Sequence, residues 1–434
     1  MNFDRMREVI MDKAVRGELV SQLAEDGVVA QIGNTPKEEL FPIPKSWKWC
    51  SLNMVAQVIA GQSPKGTALT TDSNDTEFHQ GKTFFGRQYI QNSGAYTNEP
   101  TKVAPKESIL LSVRAPVGAV NLTDRKICIG RGLFAIVPNE QLLVKFLYFV
   151  LLTKTRELQS KSTGTTFKAV TGKVVRDLYV PVPPLKEQAR IVDKVSDALA
   201  EIDRAEKAYE ELQTLAGVLR EQILQEAIQG KLLPQLAEEG VVEQIGATPE
   251  EVPFTIPSSW KWQKVIEIAK VMGGKRVPAG DKLIEENTGY PYIRVSDMKD
   301  GGVDTSGLLY LTEDCREKIK RYTISCNDIY VTVAGTIGRV GIIPKELDGA
   351  NLTENADKIV LTSDFVIRDW LLLVLSSRYC QTVFKERKTK VGQPKLAIKR
   401  IESIMIPVPP VEEQRLVVSK VEELMTQVDA LLSR

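Results

Sequence analysis

The feature that most constrains this chain is a repetition. Residues 7–49 match residues 220–262 without a gap at a constant offset of 213, with identity at 26 of 43 positions. Both copies close on the same phrase, IPKSWKW ending at Trp49 and IPSSWKW ending at Trp262. A second phrase is also written twice at an offset of 226: VPVPPLKEQ, Val180 to Gln188, and IPVPPVEEQ, Ile406 to Gln414. Self-similarity at a fixed spacing means that one structural unit has been built twice. A chain of 434 residues is long enough to give each copy its own core.

Between the paired phrases lie two longer and more divergent stretches, 45–184 and 258–410. They share a skeleton. SILLSVRAPVGAV aligns with DIYVTVAGTIGRV at an offset of 220, matching Ile109 to Ile329, Gly118 to Gly338 and Val120 to Val340. Alternating β-branched residues broken by glycine read as strand, tight turn, strand. An apolar helical run follows in each (LLVKFLYFVLL, VIRDWLLLVL), then a basic loop containing glycine, KSTGTTFK or KTKVGQPK. Each stretch is therefore expected to be a mixed α and β domain of one architecture.

After each PVPP the texture becomes helical. Ala198, Ile202, Ala205, Tyr209, Leu212, Ala216, Leu219 and Ile223 alternate three and four apart, as in a heptad seam. The seam returns at the C-terminus as Val421, Leu424, Val428 and Leu431, and at the N-terminus as Phe3, Met6, Ile10 and Ala14. One helix copy thus lies whole in the middle while the other is divided between the chain ends. The fold class expected is α+β: two similar mixed domains separated by a pair of long antiparallel helices forming a coiled coil, cyclically repeated about a pseudo-two-fold axis. The boundaries expected are an N-terminal helix at 1–22, a connector at 23–44, the first domain at 45–184 and the central helix at 185–233. A second connector follows at 234–257, then the second domain at 258–410 and a C-terminal helix at 411–434. In this scheme the IPxSWKW phrase docks each domain onto a helix end, with Pro44 and Pro257 stopping the helix and Trp47 and Trp260 as anchors.

Composition narrows the function classes. The formal net charge of +1 argues against a protein that coats nucleic acid indiscriminately and leaves local basic patches open. Five scattered cysteines without CxxC spacing and a single histidine, His79, oppose a disulfide framework or a structural zinc site. The charged start MNFDRMREVIMDK and the short apolar runs point to a cytoplasmic location. HQGKT, His79 to Thr83, resembles the end of a phosphate loop, but Thr76 stands where the first glycine is required. A polar loop is the better reading, with His79 a surface residue of it. No dinucleotide fingerprint, HExxH or GxSxG is present, so catalytic, cofactor-binding and metal residues are expected to be none.

Basic residues in or beside turns are the positive signal. In the first domain they are Lys65, Arg87, Arg114, Arg125, Lys126, Arg131, Lys161, Lys168 and Lys173. In the second they are Lys275, Arg276, Arg294, Arg339, Lys388, Lys390, Lys395, Lys399 and Arg400. Loops of this composition on a rigid scaffold suit phosphate contacts and base-edge readout, which makes all of them candidate DNA contacts.

The doubled marker set, each domain ended by PVPPLKEQ or PVPPVEEQ and restarted by IPxSWKW with a heptad helix between, resembles the DNA specificity subunit of type I restriction and modification systems. The resemblance covers nearly the whole chain. It implies a non-catalytic subunit whose two target recognition domains each read half of a split, asymmetric site in double-stranded DNA. It also implies that the helices act as a ruler and bind modification subunits, two being expected because the pseudo-two-fold helix pair presents nearly the same surface twice, and that restriction subunits join through the complex. S-adenosylmethionine, ATP and magnesium are then expected on those partners, with no cofactor here. Trp47, Trp49, Pro183, Pro184, Glu187 and Gln188, with Trp260, Trp262, Pro409, Pro410, Glu413 and Gln414, are the expected structural and docking residues. The alternative from another class is a pseudo-symmetric coiled-coil adaptor whose end domains bind proteins. A self-contained nuclease or methyltransferase lacks the motifs it would need.

Overall fold

The computed structural model describes residues 2–33, 35–36, 40–162, 169–235, 240–246, 251–299, 301–386 and 395–433. Lys168, Lys388 and Lys390 lie outside them. The chain divides into two compact units, Met1–Tyr209 and Glu210–Arg434.

In the first unit the two repeated phrases turn out to be partners. Strand Lys48–Ser51 pairs antiparallel with Tyr179–Val182, setting Trp49 opposite Pro181 and Cys50 opposite Val180. The second unit repeats this ladder, with Lys261–Lys264 against Met405–Val408 and Trp262 opposite Pro407. A two-stranded ladder can hold a proline because one edge of each strand needs no donor. Thus the start and the end of each domain are tied together by the residues that the chain writes twice.

Between the ties, each unit carries a four-stranded antiparallel sheet with the same order. In the first unit it runs Ala56–Ala60, Leu133–Pro138, Ser108–Ser112, Val120–Thr123. In the second it runs Ala269–Gly273, Ala356–Leu361, Ile329–Thr332, Val340–Gly341. The predicted strand, turn and strand are present in both, and register is kept: Leu111 faces Val120 as Val331 faces Val340. Gly118 and Gly338 sit at φ 92° and 91°, a region that favours glycine, and each donates its N–H across the turn, to Ser112 O and Thr332 O. A second sheet is less alike. Its shared element is a parallel pair, Phe78 beside Cys128 in the first unit and Tyr292 beside Asn351 in the second. The helix Glu313–Ile319 and the hairpin Met298–Lys299 with Gly302–Val303 belong to the second unit.

Each core also recruits two helices. The N-terminal helix Phe3–Arg16 supplies Met11, Ala14 and Val15 to the first core, and the start of the 44-residue helix Leu185–Ile228 supplies Ile191, Val192 and Val195. In the second core the same roles fall to Ala227 and Ile228 at the end of that long helix, and to Val417 and Val421 of Val411–Ser433. Taken unit by unit, each copy has an entering helix, a domain and a leaving helix. The long helix is the leaving helix of the first copy continued into the entering helix of the second.

Helix packing follows the heptad reading in part. Ile202, Ala216, Ile223, Phe3, Ala14, Val421 and Val428 are buried, and Ala198, Tyr209, Leu212, Ile10 and Leu424 are half-buried. Ala205, Leu219, Met6 and Leu431 are exposed instead. In the first unit the strip facing the N-terminal helix is occupied by carboxylates: Arg7 meets Asp203 at 3.0 Å and Glu206 at 2.5 Å. Pairing Phe3 with Tyr209, Arg7 with Asp203 and Gln22 with Glu187 shows that these two helices run antiparallel.

The docking of IPxSWKW onto a helix end is explicit. Gly17 and Gly230 close their helices at φ 75° and 68°. A Cβ on Gly17 would lie 2.5 Å from Pro44 Cγ and 3.1 Å from the Trp47 ring, and one on Gly230 would lie 2.4 Å from Pro257 Cγ and 3.2 Å from Trp260. Left-handed backbone and close approach both demand glycine at these caps. Trp47 and Trp260 are each 2% exposed.

Candidate nucleic-acid interface

Four loop segments converge at one end of the four-stranded sheet in the first unit, fastened by backbone hydrogen bonds. Gly61 N–H donates to Leu133 O (3.0 Å), Gln62 to Ile129 O (2.9 Å), Val113 to Gly132 O (3.0 Å) and Val170 to Val113 O (3.1 Å). The second unit makes the same four: Gly274 to Ala356 O (3.1 Å), Lys275 to Leu352 O (2.8 Å), Val333 to Asn355 O (2.8 Å) and Leu396 to Val333 O (2.9 Å). Gly61 and Gly274 are forced by proximity, since a Cβ would stand 2.2 Å from Gly130 O or 2.1 Å from Thr353 O. Backbone rigidity of this kind lets loops hold side chains in fixed positions toward solvent.

On this edge Lys65, Arg114 and Arg131 are exposed in the first unit, and none pairs with a carboxylate among the described residues. The second unit presents Lys275, 5.6 Å over the Tyr322 ring, and Arg276, whose Nε donates to Glu354 at 2.6 Å. Lys395 bridges Ala334 on the same edge. Lys126, Lys173 and Lys399 are exposed, and Arg400 is half-buried.

Other predicted contacts are held inside their own domains. Arg125 grips Glu77 through Nε (2.7 Å) and Nη2 (3.0 Å), and Arg294 grips Asp297 likewise (3.0 and 2.7 Å). Both carboxylates are nearly buried, so these arginines neutralise charges that would be costly alone. Arg339 donates to Met298 O, Arg87 to Asp203 on the long helix, and Lys161 to Glu157 at 2.7 Å. A turn-rich sequence context does not distinguish a cation facing outward from one folded back onto an acid.

His79 corrects the surface-loop expectation. It ends strand Thr76–His79, is 1% exposed and lies 2.8 Å from Glu77 Oε1. Burial lowers its pKa against the opposing pull of Glu77, favouring the neutral ring. Glu77 was missed from sequence. Burial alone would raise its pKa, but Arg125 and the Ser93 N–H outweigh this and hold it below the usual range. Lys82 of the HQGKT run opens a three-residue 3-10 turn, and no α-helix N-terminus follows it to face a phosphate.

The EQ of each PVPP marker is structural. Gln188 is fully buried, accepts from Leu143 N–H (2.8 Å) and donates to Gln141 O and Pro183 O (both 2.8 Å). Gln414 makes the matching three bonds with Ile367, Phe365 and Pro409 at 2.9, 2.7 and 2.8 Å. Glu187 is buried and accepts from Gln22 at 2.6 Å; burial raises its pKa against that bond. Pro183, Pro184, Pro409, Pro410 and Glu413 are buried beside them, as are Trp49 and Trp262. Among the described residues no group of three or more His, Cys, Asp or Glu is arranged to hold a metal, and no helix is long and apolar enough to cross a membrane.

Two copies of a mixed domain with the same hydrogen-bonded loop edge, each joined to helices, define a duplicated module. Sequence comparison makes this specific, because the Type I restriction modification DNA specificity domain matches residues 44–214 and again 257–432. The chain belongs to that family, the specificity subunits of type I restriction-modification systems. It is 37% identical over 203 residues to the MjaX specificity subunit of Methanocaldococcus jannaschii, covering 46% of this chain and 47% of that protein. It is 26% identical to the EcoBI specificity subunit of Escherichia coli, over 68% of this chain and 61% of the relative. The chain thus spans about half to three fifths of these two relatives, and 85% of the MjaIX subunit at 24% identity. In fold it resembles a chain solved in a study of complex assembly and conformational transition of the type I R-M system, with TM-score 0.71, 20% identity, and coverage of 91% of this chain and 93% of that one. It also resembles the HsdS subunit from Thermoanaerobacter tengcongensis, with TM-score 0.57, 20% identity, and 90% and 92% coverage.

Proposed function

We propose that the chain is a non-catalytic specificity subunit that reads a bipartite, asymmetric sequence in double-stranded DNA, one half-site per domain. It docks two modification subunits through its helices and engages restriction subunits through that complex, in the cytoplasm. S-adenosylmethionine, ATP and magnesium belong to those partners. The observation that carries the reading is the pair of loop edges: one set of backbone bonds, written twice, under different outward side chains. A single-function adaptor would have no reason to keep the frame and change the face. Exposed apolar residues on the long helix, Leu215, Val218 and Leu219 among them, support protein docking there.

The test is to co-express the chain with its modification subunit in a methylation-free host and map modified adenines by long-read sequencing. The expected result is one split motif with two different halves and a constant spacer. Absence of modification by a complex that assembles would overturn the reading, as would a continuous motif. Replacing 45–184 by the matching domain of a relative should change one half only.

A further inference from the structure

The duplication supplies an internal control for locating the residues that set sequence preference. The four shared backbone bonds align the edges position by position: Ser63 corresponds to Arg276, Arg114 to Ala334 and Arg131 to Glu354. Residues serving only the frame have stayed alike, as Gly61 and Gly274 have, or Gln188 and Gln414. At 114/334 a guanidinium has become a methyl group; at 131/354 the charge is reversed. Neither change disturbs the bonds beneath it.

The chemistry of the first edge is that of guanine recognition. An arginine takes guanine O6 and N7 through two parallel N–H bonds, provided its fork is not already occupied. Arg125 and Arg294 spend theirs on internal carboxylates, whereas Arg114 and Arg131 project from tight turns with no carboxylate partner among the described residues. Arg131 is held between Gly130 and Gly132, both pressed against Gln80, so its backbone is fixed. On the second edge Glu354 can only accept. Burial would raise its pKa, but Arg276, donating to Oε1 at 2.6 Å, brings it below the usual range, so it is ionised and cannot donate to guanine as an arginine does.

We propose that Arg114 and Arg131 are the guanine-reading residues of the first domain, and that 114/334 and 131/354 are the framework positions where the two half-sites are made different. This rests on the DNA-specificity reading above.

The experiment uses the full chain assembled with its modification subunit and selects bound DNA from a pool randomised in both half-sites. Arg131→Glu and Arg114→Ala give the first edge the residues of the second. Each should reduce preference for guanine at one position of one half-site by roughly ten- to hundredfold and leave the other half-site as in the parent. Arg131→Lys keeps the charge but not the fork, and should lose the same position. The reciprocal Glu354→Arg should change the other half-site alone. A parent motif retained by Arg131→Lys, with all sequences weakened alike by Arg131→Glu, would assign Arg131 to phosphate and overturn the proposal; so would unchanged selection by every variant. A parent complex that selects no split motif would instead remove the function beneath it.

Discussion

At one position the two four-stranded sheets part company: the first buries Phe134 where the second buries Asp357. Register proves the equivalence, since Phe134 faces Leu111 and Asp357 faces Val331, with Leu111 and Val331 themselves matched. Phe134 is 7% exposed and Asp357 4%, so a ring and a carboxyl occupy the same dry place. The backbone does not register the change. Pairing order, glycine turns, proline ladder and glutamine clamp fix the frame in both units, and side chains between those fixtures have been free to diverge. A scaffold that absorbs a phenylalanine-to-aspartate difference in its interior can also exchange the residues of its loop edge.

That comparison breaks if the fixtures are not equivalent in energy. Trp47 and Trp260 fill the same space over Gly17 and Gly230, and each contacts a core ring, Phe146 at 6.1 Å or Trp370 at 5.5 Å between centroids. Replacing either by alanine should destabilise its unit by about 3–5 kcal/mol. Urea unfolding followed by circular dichroism checks this, and penalties differing by more than about 2 kcal/mol would show that the repeated phrase does unequal work.

Asp357 sharpens the comparison through pH. Burial pushes its carboxyl up to about 6, with the charge of Lys395 opposing, and its Oδ2 finds no hydrogen-bond partner. The folded state therefore holds a proton that the unfolded chain has already released. Its favourable contribution is complete below the ordinary carboxyl range, falls as pH rises toward about 6 and is absent above it. Asp357→Asn should remove this slope, gaining on the order of 2–3 kcal/mol on the parent between about pH 4 and pH 8. Phe134 gives the first unit no such dependence. Parallel stability curves for parent and variant across that range would refute the assignment.

How much of this was legible in the sequence depends on what each residue answers to. The frame was readable because a glycine at a left-handed cap, a proline stop and a buried tryptophan are dictated by local backbone, and local rules repeat with the chain. That the two phrases pair with each other was not, because strand pairing between positions as far apart as Trp49 and Pro181 leaves no periodic trace in either strand. The edge was half readable. Arg114 and Arg131 were found beside Arg125 and Arg294, but nothing local separates them. Their difference lies in Glu77, 48 residues from its partner, and in Asp297, which sits in a turn of ordinary composition. Extending the 213-residue offset past Trp262 to Gly61 and Gly274 would have marked the edge.

The smallest expected effect tests whether the helix pairs are as alike as the domains. Arg7 and Arg220 are counterparts, as are Asp203 and Asp429, and both pairs form. Arg7 also holds Glu206 at 2.5 Å, where the second unit has Leu432. Exposure follows the same division: the Arg7 side chain is 22% exposed with Asp203 at 31%, whereas Arg220 is 33% exposed with Asp429 at 67%. An exposed single pair is worth a few tenths of a kcal/mol, while a partly shielded cation shared by three carboxylates, exposed Asp4 at 3.2 Å being the third, holds more. Arg7→Met should therefore cost about 1 kcal/mol and Arg220→Met less than about 0.5 kcal/mol, with the gap closing near 1 M salt as screening shortens the range of both. In a Glu206→Leu background, which gives the first unit the residue of the second, the cost of Arg7→Met should fall toward that of Arg220→Met. A penalty for Arg7→Met that is unaltered by Glu206→Leu would place its worth in Asp203, Asp4 or packing of its stem, and Glu206 would then not be what separates the two helix pairs.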